Sequence, residues 1–232
     1  MHSLATTRIH NHQLQTPHVI LRHPNGHSVQ VIGVLHYALP TTWIAINKRL
    51  RVLSDRGWAV HYEQVRPVPN MTARERGIHR QFQQVRSILG KKLGRLGAVY
   101  QKDGINYPRG ALNTDTTVRE VYATYKGSLL GLAARIKLTG IIFGLTPASD
   151  VVRLLGSEFA NESNNVTDGI FDNSIVLDRR NAIAVTHCVM ATPQNVVMVW
   201  GAAHVDGIVS LLQKCGYRVT GYYWTTMLPL HS

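Results

Sequence analysis

Cysteine is nearly absent from this chain: Cys188 and Cys215 are the only two among 232 residues. Both sit in apolar, helix-like stretches, so no disulfide framework is expected. Unpaired, buried thiols suit a reducing compartment, and a cytoplasmic protein is the expectation. Long hydrophobic runs are missing too. A bilayer-crossing helix needs about 20 apolar residues, and the nearest approach, Gly127 to Leu145, is interrupted by Arg135 and Lys137. It reads as a buried helix or helix pair, with no transmembrane segment. The first fifteen residues have no apolar centre, which argues against a secretory signal. Acidic residues are scarce, 13 Asp and Glu against 25 Lys and Arg, for a formal charge of +12. That excess raises nucleic acid or an anionic membrane as partners. No basic stretch interleaves with aromatics as a single-strand surface would, and no zinc-finger or helix-turn-helix pattern occurs, so nucleic acid is not the expected partner. The basic residues between Arg74 and Arg95 read first as a solvated helix face, with an anion-binding face as the alternative.

What is present is a repeated phrase. Val31-Ile32-Gly33-Val34-Leu35-His36 and Val199-Trp200-Gly201-Ala202-Ala203-His204 are both strand-like runs ending in Gly-x-x-His before a stretch that can start a helix. A glycine at such a corner permits a sharp turn and the close approach of another group. Around these motifs the pattern reads strand, Gly-x-x-His, helix, Gly, strand at both ends of the chain.

The first unit has a hairpin through Pro24-Asn25-Gly26, a helix from Pro40 ending before Gly57, and a strand from Trp58 to Tyr62. The last has a strand from Val196 to Trp200, a helix from Val205 to Lys214 and a strand from Tyr217 to Trp224. Between them lie a basic helix from near Thr72, a short strand from Gly97 to Gln101, and a loop through Asn113-Thr114-Asp115. Asp115 is offered there as a helix cap. Helices from Leu129 to Phe143 and from Thr146-Pro147 follow, then a polar, loop-like stretch at 161–168 and a helical pattern from Phe171 to Met190.

The expected fold is a single α/β domain, a central mixed sheet flanked by helices, over residues 18–232, with a loose segment at 1–17. The early histidines, His27 among them, are assigned to that segment and to a surface hairpin.

In open α/β sheets, ligands gather outside the carboxyl ends of strands. His36, His204 and Glu63 all fall at such ends. Two imidazoles and a carboxylate can hold a divalent ion and leave positions open for water and substrate. The alternative for Glu63 is an ion pair with Arg66 or another arginine. His61, on the same strand face, is either a third ligand or a polar neighbour. Arg180 and Asn181 lie in an apolar helical pattern, where they serve an oxyanion or a ligand, or else mark a surface helix face. The roles of Asn113 and Asp115 are open. Neither cysteine has the neighbours of a thiol nucleophile.

The segments GVLH (33–36), YEQV (62–65), RRNAIA (179–184) and VVMVWGAAHVDGIVSLLQKCGYRV (196–219) resemble the TraB/TIKI superfamily, which includes GumN-like proteins. Gly-x-x-His twice, a Glu after a core strand, and Arg-Asn before the final motif mark that family. The resemblance implies a metal-dependent, peptidase-like hydrolase, with manganese or cobalt as the ion and zinc as a further candidate. It implies His36, Glu63 and His204 as metal ligands, and Glu63, Arg180 and Asn181 as catalytic residues. The substrate would be a peptide or small molecule; a homo-oligomer is left open. The superfamily also contains ligand-binding members, so capture of a signal peptide or haem-like ligand without turnover is the alternative.

Overall fold

The computed structural model describes residues 5–124, 129–158, 174–191 and 193–230. In chain order the elements are β1 (Arg8–His10), β2 (Gln13–Arg22), β3 (Ser28–Val34), β4 (Tyr37–Ala38), α1 (Pro40–Asp55), β5 (Ala59–Tyr62), α2 (Ala73–Gly94), β6 (Val99–Tyr100), α3 (Gln101–Gly104), β7 (Leu112–Asn113), α4 (Val118–Thr124), α5 (Leu129–Leu145), α6 (Ala148–Glu158), α7 (Ser174–Met190), β8 (Val196–Gly201), α8 (Val205–Lys214) and β9 (Arg218–Pro229). One 3-10 turn, Ala202–His204, joins β8 to α8. The expected loop at 161–168 and the start of the expected helix at 171–173 lie outside the described residues.

Seven strands form one mixed sheet. The order runs β1-β2-β3-β8-β5-β7, with β9 also on β2. β3, β8, β5 and β7 are parallel, whereas β2 is antiparallel to β3 and to β9. β8 is at the centre of the parallel part, and every residue from Val196 to Trp200 is fully buried. An unbroken apolar run is what a strand covered on both faces requires. Alternation then divides the core. Val197 and Val199 face one cluster with Trp43, Leu50 and Val60, on the side of α1. Met198 and Trp200 face the other, with Ala184, Cys188, Ile208 and Leu212 of α7 and α8. The parallel pairing of β3 with β8, Gly33 opposite Trp200 and Val34 opposite Gly201, brings the two Gly-x-x-His corners side by side at one edge of the sheet. Glu63 follows β5 at the same edge, its N–H donating to the Val199 carbonyl at 3.0 Å.

Several expectations need correction. The segment assigned as loose at 1–17 carries β1 and the first half of β2, and Leu14 and Thr16 are fully buried. The strand near Gly97–Gln101 does not enter the main sheet; β6 pairs with β4 in a separate ribbon. Residues assigned to a loop at Leu112–Asn113 form β7, an edge strand parallel to β5. Asp115 does not cap α4. The cap is two residues later, where Thr117 and Glu120 exchange hydrogen bonds as a capping box. The α2 helix starts beside Thr72 as expected, where Thr72 and Glu75 form a capping box, and Gly57, at φ +79°, follows α1. His27 is buried rather than on the hairpin surface, bonded to the Tyr217 hydroxyl and, at 2.6 Å, to the Gln194 carbonyl. Cys215 is exposed, not buried.

Candidate functional site

The strand end after β5 delivers a carboxylate into a cluster of charge. Arg180, projecting from α7, clamps two acids at once. Its Nε donates to Asp115 Oδ1 at 2.9 Å and its Nη2 to Asp115 Oδ2 at 2.8 Å, and the same Nη2 donates to Glu63 Oε1 at 2.5 Å. The Asp115 side chain is completely buried, and those of Glu63 and Arg180 are nearly so. Asp115 is held in place locally, since its backbone N–H donates to Asn113 Oδ1 and its own Oδ1 accepts from the Thr116 N–H. The other Glu63 oxygen, Oε2, accepts the Gly201 backbone N–H.

His204 completes the cluster. Its Nδ1 lies 2.7 Å from Asn181 Oδ1, one residue along α7 from Arg180. An amide oxygen only accepts, so Nδ1 carries the proton. Nε2 then faces Glu63 Oε1 at 3.5 Å. The ring also stands edge-on to Trp200, centroids 5.2 Å apart. Burial works to raise the Glu63 carboxyl. The charges of His204 and Arg180, the His204 hydrogen bond and the charge of His36 outweigh it and hold the group well below the ordinary carboxylate range.

The two motif glycines make room for different things. A Cβ on Gly201 would lie 2.9 Å from Glu63 Oε2, so side-chain-free backbone is what lets the carboxylate reach the strand. On Gly33 it would meet the Pro17 carbonyl oxygen and a Val205 methyl, both at 2.9 Å. The first glycine serves the cluster and the second serves the packing of β3.

His36 is at the neighbouring corner but differs in every respect. It is exposed, and its Nδ1 pairs with Gln101 Oε1 at 3.2 Å. Its ring centroid is 6.4 Å from that of Tyr100. Tyr100 in turn lines an open cleft of about 320 Å³ together with Tyr37, Arg86 and Gly90. The structure thus brings Glu63, Arg180, Asn181 and His204 into one hydrogen-bonded cluster and leaves His36 on its rim.

Asp115 was read from sequence as a cap and is instead the main partner of Arg180. Its signal was the carboxylate itself, two residues after an asparagine that braces it. Among the described residues, four of the five buried polar atoms without hydrogen-bond partners lie on the α7 side of the sheet, His61 Nδ1 and Nε2, Thr114 Oγ1 and Trp200 Nε1; the fifth, Gln81 Oε1, is on α2. The register explains their company. His61 precedes Glu63 by two on β5, Met198 and Leu112 flank His61 on β8 and β7, and Trp200 and Thr114 come two residues further along those neighbours. Burial, and then nearby His187, hold the His61 imidazole down at about 4. Cys188, pushed up to about 12 by burial and by Cys215, is no nucleophile.

Does this donor set suit a divalent ion? With the histidines counted as neutral, two carboxylates and one guanidinium leave the buried cluster with a net charge of −1 inside a chain of +12. The His204 Nε2 faces one of those carboxylates at 3.5 Å. Orphaned polar atoms lie on the same sheet face. These features suit a cation. Among the described residues, however, no three His, Cys, Asp or Glu side chains stand together in metal-holding positions. Two donors, His204 Nε2 and Glu63 Oε1, therefore face each other, and the third candidate, His36, is turned to Gln101.

No family model matches this chain, and no curated protein or solved structure matches it.

Proposed function

We propose that the chain is a metal-dependent hydrolase of peptidase-like chemistry, acting at the sheet edge where Glu63, Arg180, Asn181 and His204 meet. The observation that supports this most is the opposition of His204 Nε2 and Glu63 Oε1 at 3.5 Å within a cluster of net negative charge. Separations of this size are usual between two donors to one ion. The TraB/TIKI resemblance of the same residues supports the reading independently of geometry.

In this proposal His204 and Glu63 hold the ion, and His36 joins them from the adjacent strand end. A bound divalent ion of this kind, manganese or cobalt by resemblance, lowers the pKa of water and polarises a carbonyl oxygen. Asn181 fixes the His204 tautomer through Nδ1, the usual means of directing the opposite nitrogen. The Arg180 guanidinium beside Glu63 keeps its carboxylate anionic, which suits it as a ligand to the ion. Arg180 fixes the Glu63 carboxylate. Its Nη1 has no hydrogen-bond partner among the described residues and is the donor left for a substrate oxyanion.

The test is hydrolysis of a mixed peptide library by purified protein with added Mn²⁺, Co²⁺ or Zn²⁺. Cleavage that depends on the ion, and is lost in both Glu63→Gln and His204→Ala, is expected. Metal binding without cleavage of any peptide would make the cluster a ligand-binding site rather than a hydrolytic one.

A further inference from the structure

Between Asp115 and Arg180 in sequence, α5 presents an apolar surface that the other described residues do not cover. Leu138, Ile141, Ile142 and Leu145 follow the i, i+3, i+4, i+7 spacing of one helical stripe. They are 53, 51, 39 and 82% exposed. Ile141 and Leu145 also line an open groove of about 400 Å³ that α5 shares with Val85 and Ile88 of α2. A helix apolar on nearly all sides is normally enclosed by protein or lipid, and α5 is closed on one side, where Gly140 lets Val85 and Ile88 come close.

The rim of this surface is cationic. Gln84, on α2, lines the groove. Arg80 is one turn before it, Lys91 two turns after it and Arg95 three turns after it, so all three follow the same helical line, and all three are exposed. Lys137 contributes from α5. Lys92 lies over the end of α5, donating to the Thr146 carbonyl, which places the most cationic part of α2 beside exposed Leu145. Against these cations, α2 has one acid, Glu75, and the α5 segment has none.

We infer that the α2/α5 face, with the Leu138-Ile141-Ile142-Leu145 stripe at its centre and Arg80, Lys91, Arg95 and Lys137 at its edge, docks on an anionic lipid bilayer. An aliphatic stripe with a cationic rim is the arrangement by which a helix lies in a headgroup layer. No aromatic side chain lies on the stripe for bases to stack on, as a single-stranded polynucleotide would require. The aromatic anchors typical of protein interfaces are likewise missing from it. No described helix is long and apolar enough to cross a membrane, so contact would be with the surface.

Co-sedimentation of the full chain with vesicles tests this. Vesicles of phosphatidylcholine with a quarter phosphatidylglycerol are compared with phosphatidylcholine alone, at low and high salt. Binding to the anionic vesicles is expected, weaker by at least about tenfold on pure phosphatidylcholine and weakened by salt. Ile141→Glu/Leu145→Glu, at exposed positions, should lose at least about tenfold with thermal unfolding unchanged, and Lys91→Glu/Arg95→Glu a similar factor. Absence of binding to anionic vesicles overturns the proposal, as does equal binding by both double variants. A dimer in light scattering that Ile141→Glu/Leu145→Glu dissolves, without vesicle binding, overturns it in favour of self-association.

Discussion

The two Gly-x-x-His corners are near twins in sequence and neighbours in the sheet, yet one is wired and the other is open. His204 is buried, its tautomer fixed by Asn181 and its second nitrogen turned to Glu63. His36 is exposed, on a side-chain contact with Gln101. The cause is the element that follows each corner. After Gly201 the chain turns at once through a 3-10 turn into α8, which packs against α7 and so sets His204 against Asn181. After Gly33 it runs on into the β4–β6 ribbon, which carries His36 away from α7. A repeated motif thus supplies one buried, doubly held imidazole and one exposed imidazole.

Breaking the fixed half should cost most. Arg180→Met leaves Glu63 and Asp115 buried without their cation, and a loss of about 3–5 kcal/mol in urea unfolding is expected; a loss below about 1 kcal/mol would mean the clamp is not formed. The glycines come next, and they should separate. Gly33→Ala drives a methyl into the Pro17 backbone carbonyl and Val205, for about 1–3 kcal/mol of overpacking. Gly201→Ala meets a side-chain oxygen of Glu63 rather than backbone, so its stability should fall less while any ion binding falls more. Equal effects of the two on both measurements would remove the distinction drawn between the motifs.

His61 gives a smaller, pH-dependent effect. Its imidazole is held at about 4 when folded, against about 6.5 when unfolded. Between those values the unfolded chain binds the extra proton, so stability falls as pH drops from about 6.5 to about 4. His61→Leu should remove this part of the slope and stabilise by on the order of 2 kcal/mol at pH 5. An unchanged slope would mean that the ring has a partner. Smallest of all, His36→Ala should change stability by no more than about 0.5 kcal/mol, as for an exposed side chain.

Much of this was legible in the residues. The central strands announced themselves as unbroken apolar runs bounded by turn signals, and α8 runs between its expected ends, Val205 and Lys214. The convergence of Glu63 and His204 followed from strand ends alone. What stayed hidden was decided by long-range pairing. Leu112–Asn113 is too short to show periodicity and becomes a strand only because β5 is there to pair with it. Asp115 looked like a cap because capping and clamping draw on the same carboxylate, and only the position of Arg180, 65 residues on, tells them apart. His36 misled for the converse reason: matching sequence around both histidines says nothing about the ribbon that follows the first.

Titration of the purified chain with Mn²⁺, Co²⁺ and Zn²⁺ by calorimetry, alongside His204→Ala and His36→Ala, tests the central claim most directly. One ion per chain is expected, abolished by His204→Ala and weakened but retained by His36→Ala. No ion bound by the unaltered protein, or binding untouched by loss of His204, would contradict it.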